Sequence, residues 1–386
     1  MRVAHLITRL IVGGAQENTL FNCADLMQQY GDRVVLIAGP GLGPEGSIEG
    51  QAHEAGVPLV VLPELRRNIH PLRDLQSYLA IRRELRAFRP DVVHTHSGKA
   101  GLLGRAAADA LRVPAIVHTV HGAPFHAYQG RGARWFFQLC ERYAARRCHA
   151  IISVADAMTR RMLDAGIGSP ELFTTIYSGM DVDPLLQADV HRAETRARLG
   201  FSDDDLVIGK IARLFHLKGH EDVLAAARLV GDQYPQIKFL FVGEGLLRRR
   251  LEEQIATAGL ADRVRFTGLV PPEQIPPLIG AMDVVVHASL REGLARVLPQ
   301  ALIAGKPVIS YDIDGAREVV LPGETGYLLA PRDTVAMAQA FAELASDPPL
   351  RIQLGAAGRA RFTEQFRHQT MTAQIRDIYT RLLNRS

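Results

Sequence analysis

Residues 284–304 read V-V-V-H-A-S-L-R-E-G-L-A-R-V-L-P-Q-A-L-I-A. The apolar opening has the length and β-branched content of a buried strand. A turn follows, and then a helical pattern runs through Ala304. Strand, turn and helix in that order make a βα unit. In the turn Glu292 is followed at once by Gly293. A glycine lets backbone approach a ligand closely, and N–H groups at a helix start attract anions. An acid beside such an anion seat suits a phosphorylated ligand that also carries hydroxyl groups, as a sugar nucleotide does.

The same rhythm extends in both directions. In the first half, Val3–Ile7, Val34–Ala38, Leu59–Leu62, Val92–Thr95, Ile116–Val120 and Ile151–Val154 read as strands. Helical patterns over Glu17–Tyr30, Leu72–Phe88 and Lys99–Leu111 lie between them. In the second half, Leu206–Ile211, Phe239–Val242, Val264–Phe266, Val284–His287 and Pro307–Ser310 read as strands, with helices over Gly219–Tyr234, Leu246–Ala258 and Val297–Ala304. Alternation of this kind builds parallel sheets. The expectation is an α/β protein of two doubly wound domains, 1–180 and 181–365, parted near Ser178–Pro184 where S-G-M-D-V-D-P breaks the pattern. In such folds ligands bind beyond the carboxyl ends of the strands, so motifs that follow strands are expected to face one central cleft.

Gross composition narrows the class. A chain of 386 residues is longer than one core needs, and no apolar run reaches bilayer length. The start, M-R-V-A-H-L-I-T-R-L, is broken by Arg9 and does not read as a signal peptide. Cys23, Cys140 and Cys148 have no zinc spacing, which points to a reduced, cytoplasmic setting. Residues 1–180 hold 20 Lys+Arg against 15 Asp+Glu, while 181–386 hold 25 against 26. The basic excess of the first half suits an acidic acceptor, an anionic membrane surface, or an ordinary solvated face.

Several motifs carry chemistry. In G-K-I-A-R-L-F-H-L-K-G, residues 209–219, Arg213 and Lys218 follow a strand and can grip a diphosphate, one as a planar fork and one as a compact charge. Gly13-Gly14 follows the first strand and opens a helix, as a phosphate seat or simply as a tight turn. Gly243-Glu244-Gly245 resembles the start of a dinucleotide fingerprint, but Arg248 fills the third glycine position and R-V-R-F-T at 263–267 lacks the ribose-binding acid, so an oxidoreductase is set aside. His94 and His96 alternate on one strand face and could ligate a metal, although no third ligand has a recognisable spacing; hydrogen-bonding histidines are the preferred reading. His121, beside Gly122 at a strand end, is placed to point toward a ligand. Arg66–Arg89 carries seven arginines against Asp74 and Glu84. It reads as a helix packed on the sheet with a solvated arginine face, with a membrane-facing surface as the alternative.

Taken together and in order, G-G-A-Q, H-T-H-S-G-K-A-G-L-L-G-R, H-T-V-H-G, S-G-M-D-V-D, A-R-L-F-H-L-K-G, F-V-G-E-G, F-T-G-L-V and R-E-G-L-A-R-V-L-P-Q-A-L-I-A-G-K-P-V-I make nearly the whole chain resemble the retaining GT-B glycosyltransferases of family four, the glycosyltransferases group 1. The resemblance implies a UDP- or GDP-linked sugar donor as co-substrate, held mainly by the second domain, and no cofactor or metal. It implies a hydroxyl acceptor, lipid-linked in some settings, held mainly by the first domain, with peripheral contact at the inner face of the membrane and no nucleic acid. Carried over, Arg213 and Lys218 hold the diphosphate and Glu292 meets donor-sugar hydroxyls. Gly293, Leu294 and Ala295 offer backbone N–H groups, Gly14 and Gly243 approach the donor, and backbone at Leu269 meets the base. His121 sits beside the reacting sugar, and His94, Ser97 and Lys99 face the acceptor. The C-terminal helix, about 366–386, packs back on the first domain.

One position departs from the family pattern. Eight residues after Glu292, where a second Glu reaches the donor ribose, this chain has Gln300. An amide still accepts from a hydroxyl but carries no charge. The reading that follows is a metal-independent, retaining hexosyl transfer in the making of a polysaccharide, glycolipid or small glycoside. A sugar-nucleotide epimerase of the same fold and a non-catalytic sugar-nucleotide-binding protein are the alternatives.

Overall fold

The computed structural model describes residues 1–43, 46–126 and 129–384. It contains two compact units, Met1–Met180 with Gln365–Ser386, and Asp181–Glu364. The first holds strands β1 (Arg2–Ile7), β2 (Arg33–Ala38), β3 (Leu59–Val61), β4 (Val92–His96), β5 (Ala115–Val120), β6 (Ala150–Ser153) and β7 (Phe173–Thr175). They form one sheet in the order β3-β2-β1-β4-β5-β6-β7, with parallel pairing throughout. The second holds β8 (Leu206–Ile211), β9 (Ile237–Val242), β10 (Val264–Gly268), β11 (Val284–His287), β12 (Val308–Tyr311) and β13 (Gly326–Leu329), in the order β10-β9-β8-β11-β12-β13.

These strands read as unbroken apolar runs because helices cover both faces of each sheet. Ile208, Phe239, Phe241, Val284, Val286 and Ile309 anchor the second core. Val3, Ile7, Leu36, Val92 and Val117 anchor the first. Two strands escape sequence reading: β7 is F-T-T and β13 is G-Y-L-L, both short, at sheet edges and only partly buried.

In each sheet the strand order reverses once, between β1 and β4 and between β8 and β11. Loops diverge from the carboxyl ends at such a reversal and leave a crevice. Gly13-Gly14 and Ser97 follow β1 and β4, and Lys218 and Glu292 follow β8 and β11.

The last helix, His368–Leu383, belongs to the first unit. Met371, Ile375, Ile378 and Tyr379 enter its core. Polar pairs fix the helix against Gly14–Gln28: Asp25 Oδ2 accepts from Thr372 Oγ1 and pairs with His368 Nδ1, both at 2.8 Å, and Arg376 Nε donates to Asp32 at 2.9 Å. Gly179 explains the S-G-M-D motif, since a β-carbon there would lie 2.5 Å from the His368 Cα. Asp25→Ala would leave the buried Thr372 hydroxyl and the His368 ring without their acceptor. We expect it to lower the unfolding free energy by about 2 kcal/mol; an unchanged denaturant midpoint would contradict this anchoring.

Candidate active site

In the second unit the segment after β8 must turn sharply. Leu217 adopts φ 67° and Gly219 φ 70°. Glycine is required at 219 twice over, because a β-carbon would stand 2.0 Å from the Ala288 carbonyl oxygen at the end of β11. The loops are stitched by Leu290 N–H donating to Leu217 O at 2.8 Å. This approach brings the Lys218 ammonium against the Glu292 carboxylate in a direct ion pair.

Glu292 is itself held by its backbone, whose N–H donates to Asp314 Oδ2 at 2.7 Å. Burial alone would raise its carboxyl pKa, but His287 and Lys218 reverse the balance and hold it down at about 2. His287 Nε2 lies 3.6 Å from Glu292 Oε1, beyond hydrogen-bond reach, so the Lys218 charge is the stronger of the two influences. His287 itself is buried with its pKa lowered, first by that burial. The Arg213 guanidinium lies over the Phe215 ring at 5.0 Å.

The helix after this turn begins at Val297, where the sequence pattern places it. Gly293 is tied into the loop by Gly315 N–H donating to its carbonyl at 2.9 Å, and Leu298 N–H reaches back to Ala295 O at 3.1 Å. Gly293, Leu294 and Ala295 therefore belong to a loop, and helix-start N–H groups are not what they offer. Gln300 lies within this helix, partly buried. Gly243 has φ 137° and would press a β-carbon to 2.2 Å from the Ala212 carbonyl, so β9 and the start of the Arg213 loop touch through backbone. Leu269, just past β10, is 68% exposed.

In the first unit, His5, His94 and His96 stand on one face of β1 and β4, and His121 follows the end of β5. His5 Nδ1 and His96 Nε2 are 3.0 Å apart, and His96 Nδ1 and His121 Nε2 are again 3.0 Å apart. His94 spends one nitrogen on Tyr379 Oη at 2.5 Å and the other on Thr119 Oγ1 at 2.7 Å. Burial, ahead of the neighbouring rings, lowers the pKa of His94, His96 and His118, and it takes His5 to about 3. The chain of rings ends at His121, which with Ser97, Gly98, His118 and Pro124 lines a cavity of about 290 Å³.

Residues 14–178 match the family described as Glycosyl transferase 4-like domain, and 191–361 match Glycosyl transferases group 1. The 2-deoxystreptamine N-acetyl-D-glucosaminyltransferase of Streptomyces fradiae is 31% identical over 87% of this chain and 83% of its own. The chain belongs to the glycosyl transferases group 1. A galactosyltransferase of Escherichia coli that acts on GlcNAc-diphosphoundecaprenol is 27% identical over 82% of each chain. The GT-B fold is shared with Anabaena HepE, solved with UDP and glucose, at a TM-score of 0.82, 22% identity and coverage of 98% and 99%.

Within this glycosyltransferase the expected residues fall into two groups by unit. Arg213, Lys218, Gly243, Leu269, Glu292, Gly293, Leu294, Ala295 and Gln300 lie in the second. Gly14, His94, Ser97, Lys99 and His121 lie in the first. Lys99 pairs with Asp74 Oδ1 at 2.6 Å, and Ser97 holds φ 66° at the start of its helix. One expectation is corrected. His94 is fully buried with both nitrogens engaged, so it supports the interior and offers no acceptor contact. A third histidine does stand beside His94 and His96. Register pairs His5 with His94 across β1 and β4, and ring nitrogens of the three lie within 4.8 Å. Five of their six nitrogens are already committed to hydrogen bonds, so the set is a bonded network and a metal would have to break it.

Sequence reading missed the Arg105–Glu141 ion pair, fully buried at 2.8 Å beside the cavity. In the helix Pro71–Phe88, Leu85 is buried, whereas Leu72, Leu75 and Leu79 are 71, 56 and 53% exposed. The stretch from Pro124 to Arg134 includes residues 127–128, which lie outside the described residues.

The buried rings make this unit acid-sensitive. An unfolded chain protonates its histidines from about their ordinary value of 6.5 downward, whereas the folded His5 resists until about 3. The stability they contribute is therefore present above about pH 6.5 and lost as pH falls toward the folded values. Urea midpoints are expected to drop between about pH 7.5 and pH 5.5 more steeply than one histidine can cause; a flat profile would contradict the neutral stack.

Proposed function

We propose that the protein transfers a hexosyl group from a nucleoside-diphosphate sugar to an acceptor hydroxyl with retention at the anomeric carbon. The observation that carries the reading is the Lys218–Glu292 pair at the strand-order reversal of the second sheet, a cation for phosphate and an ionised acid for sugar hydroxyls within one hydrogen bond of each other. In the proposed reaction the bond from the anomeric carbon to the diphosphate oxygen breaks through an oxocarbenium-like state. The acceptor oxygen attacks the same face and its proton passes to the departing phosphate. Charge on the leaving diphosphate is stabilised by Lys218 and Arg213, without a metal. Gln300 accepts from the ribose, and His121 stands by the sugar.

UDP and GDP are the nucleotides proposed, UDP being supported by the ligands of HepE. Acceptors as unlike as an aminocyclitol and a diphospholipid occur among the relatives named above, and both present hydroxyls. Lys218→Ala and Arg213→Ala are each expected to cut turnover by roughly 10²-fold or more with the fold intact, and wild-type transfer should persist in chelator. Near-normal turnover in both variants would remove the phosphate clamp. Conversion of donor without acceptor would favour an epimerase, and nucleotide binding with neither transfer nor hydrolysis a binding protein.

We also propose peripheral membrane contact through the first unit. The helix Arg131–Ala145 exposes Trp135, Phe136, Leu139 and Tyr143 at 60, 45, 45 and 46%. Residues 135, 139 and 143 form one stripe, flanked by exposed Arg131, Arg134 and Arg146. Ile69, Leu72, Leu75 and Leu79 are exposed likewise among Arg66, Arg67, Arg83 and Arg86. Apolar ridges rimmed by arginine suit an anionic bilayer surface. No helix among the described residues is long and apolar enough to cross one. The protein should co-sediment with phosphatidylglycerol vesicles and not with phosphatidylcholine ones, and Trp135→Ser with Phe136→Ser should weaken this about tenfold or more. Equal partitioning of the double variant would refute the surface.

A further inference from the structure

Beneath the Lys218–Glu292 pair lies a group of side chains with no conventional reason to be buried. Lys210, on β8, is 1% exposed. It shares a sheet face with Leu206 and Ile208, two members of the core, where a leucine or methionine would pack without cost. Its Nζ makes no hydrogen bond. The same is true of both ring nitrogens of His220, which opens the helix after the Lys218 turn, and of His287 Nε2 at the end of β11, both of which feel the Lys210 charge. All three residues are at most 3% exposed.

An unpartnered ammonium in a core is expensive, so its presence calls for a use. The groups that act on it come from every neighbouring element. Lys218 follows β8, His220 and Asp222 open the helix His220–Val230, and Glu292 follows β11. His287 ends β11, and Tyr311 of β12 donates to Asp222 at 2.9 Å. His220 and His287 are neutral, because burial above all lowers both pKa values. The charges that remain are Lys218 on one side and Glu292 and Asp222 on the other.

We infer that Lys210 is a positioning residue that gains a proton as a nucleoside diphosphate binds, so that the donor seat closes on its ligand with an extra buried positive charge. The inference rests on the donor seat proposed above. Burial, followed by the Lys218 charge, brings the Lys210 ammonium down to about 7, and Glu292 and Asp222 draw it back up. A group balanced near neutrality responds to any new charge close by. A diphosphate beside Lys218 adds negative charge and draws a proton in from solvent. Lys210 touches no reacting atom. Its added charge counters the diphosphate from behind, where water cannot screen it.

The test is calorimetric titration of the full chain with UDP, GDP, ADP and dTDP in turn, at about pH 8 in two buffers of different ionisation enthalpy. Free nucleoside diphosphate is already deprotonated there, so uptake must come from the protein. For an upward shift of about one pKa unit, wild type should take up about 0.4 proton per nucleotide bound. Lys210→Met and Lys210→Arg should both bind with essentially none, the first because it cannot protonate and the second because it is already charged. Binding without uptake in wild type, or equal uptake in the variants, overturns the role of Lys210. Absence of binding by all four nucleotides overturns the donor seat itself. If the methionine variant does not fold, the arginine variant carries the comparison, and the wild-type measurement alone can still refute the inference.

Discussion

The backbone of Gly219 comes so close to the end of β11 that no side chain fits between them. Most of what distinguishes the second unit depends on that approach. It sets the loop after β8 against the loop after β11, and so puts an ammonium and a carboxylate side by side where strand order reverses. The strain of a leucine at positive φ two residues earlier is tolerated because the hydrogen bond from Leu290 over-determines the turn. Glu292 stays ionised in a partly buried place for the same reason, since its counter-charge is built into the fold. Substituting Gly219 would therefore disturb phosphate and sugar recognition together.

In the first unit the group at the strand end is held otherwise. Beside the buried Arg105–Glu141 pair, its polar interior carries imidazoles linked from His5 through His96 to His121. Each neutral imidazole can donate through only one nitrogen, so the tautomer of one ring constrains the next. His121 is thus oriented from within the sheet by residues that a ligand in the neighbouring cavity would not touch. The two units meet the same need, a fixed polar group at a strand end, by an ion pair in one case and by a relay of imidazoles in the other.

How much of this was legible in the sequence follows from which interactions are local. Central strands were readable because burial on both faces leaves unbroken apolar runs, whereas the edge strand F-T-T at 173–175 carries no such signal. The paired motifs after β8 and β11 were readable as residue types, but their contact was not, because 74 residues separate Lys218 from Glu292. The helix start at Val297 was readable, but the hold of Asp314 and Gly315 on the preceding loop was not, because both act from a distance. His5 was missed for the same kind of reason: it stands next to His94 only through strand register. The exposed leucines at 72, 75 and 79 have helical spacing that reads equally well as core, and only tertiary structure tells which way the stripe faces.

The returning helix His368–Leu383 has a consequence for how the molecule comes into being. The chain leaves the first unit after Met180 and re-enters it at Gln365. During synthesis the second unit emerges entire while the first still has an open groove along Gly14–Gln28, waiting for Met371, Ile375, Ile378 and Tyr379. The half made first on the ribosome is thus completed last, and any nascent or truncated chain that stops short of residue 368 presents an unfinished core to its surroundings.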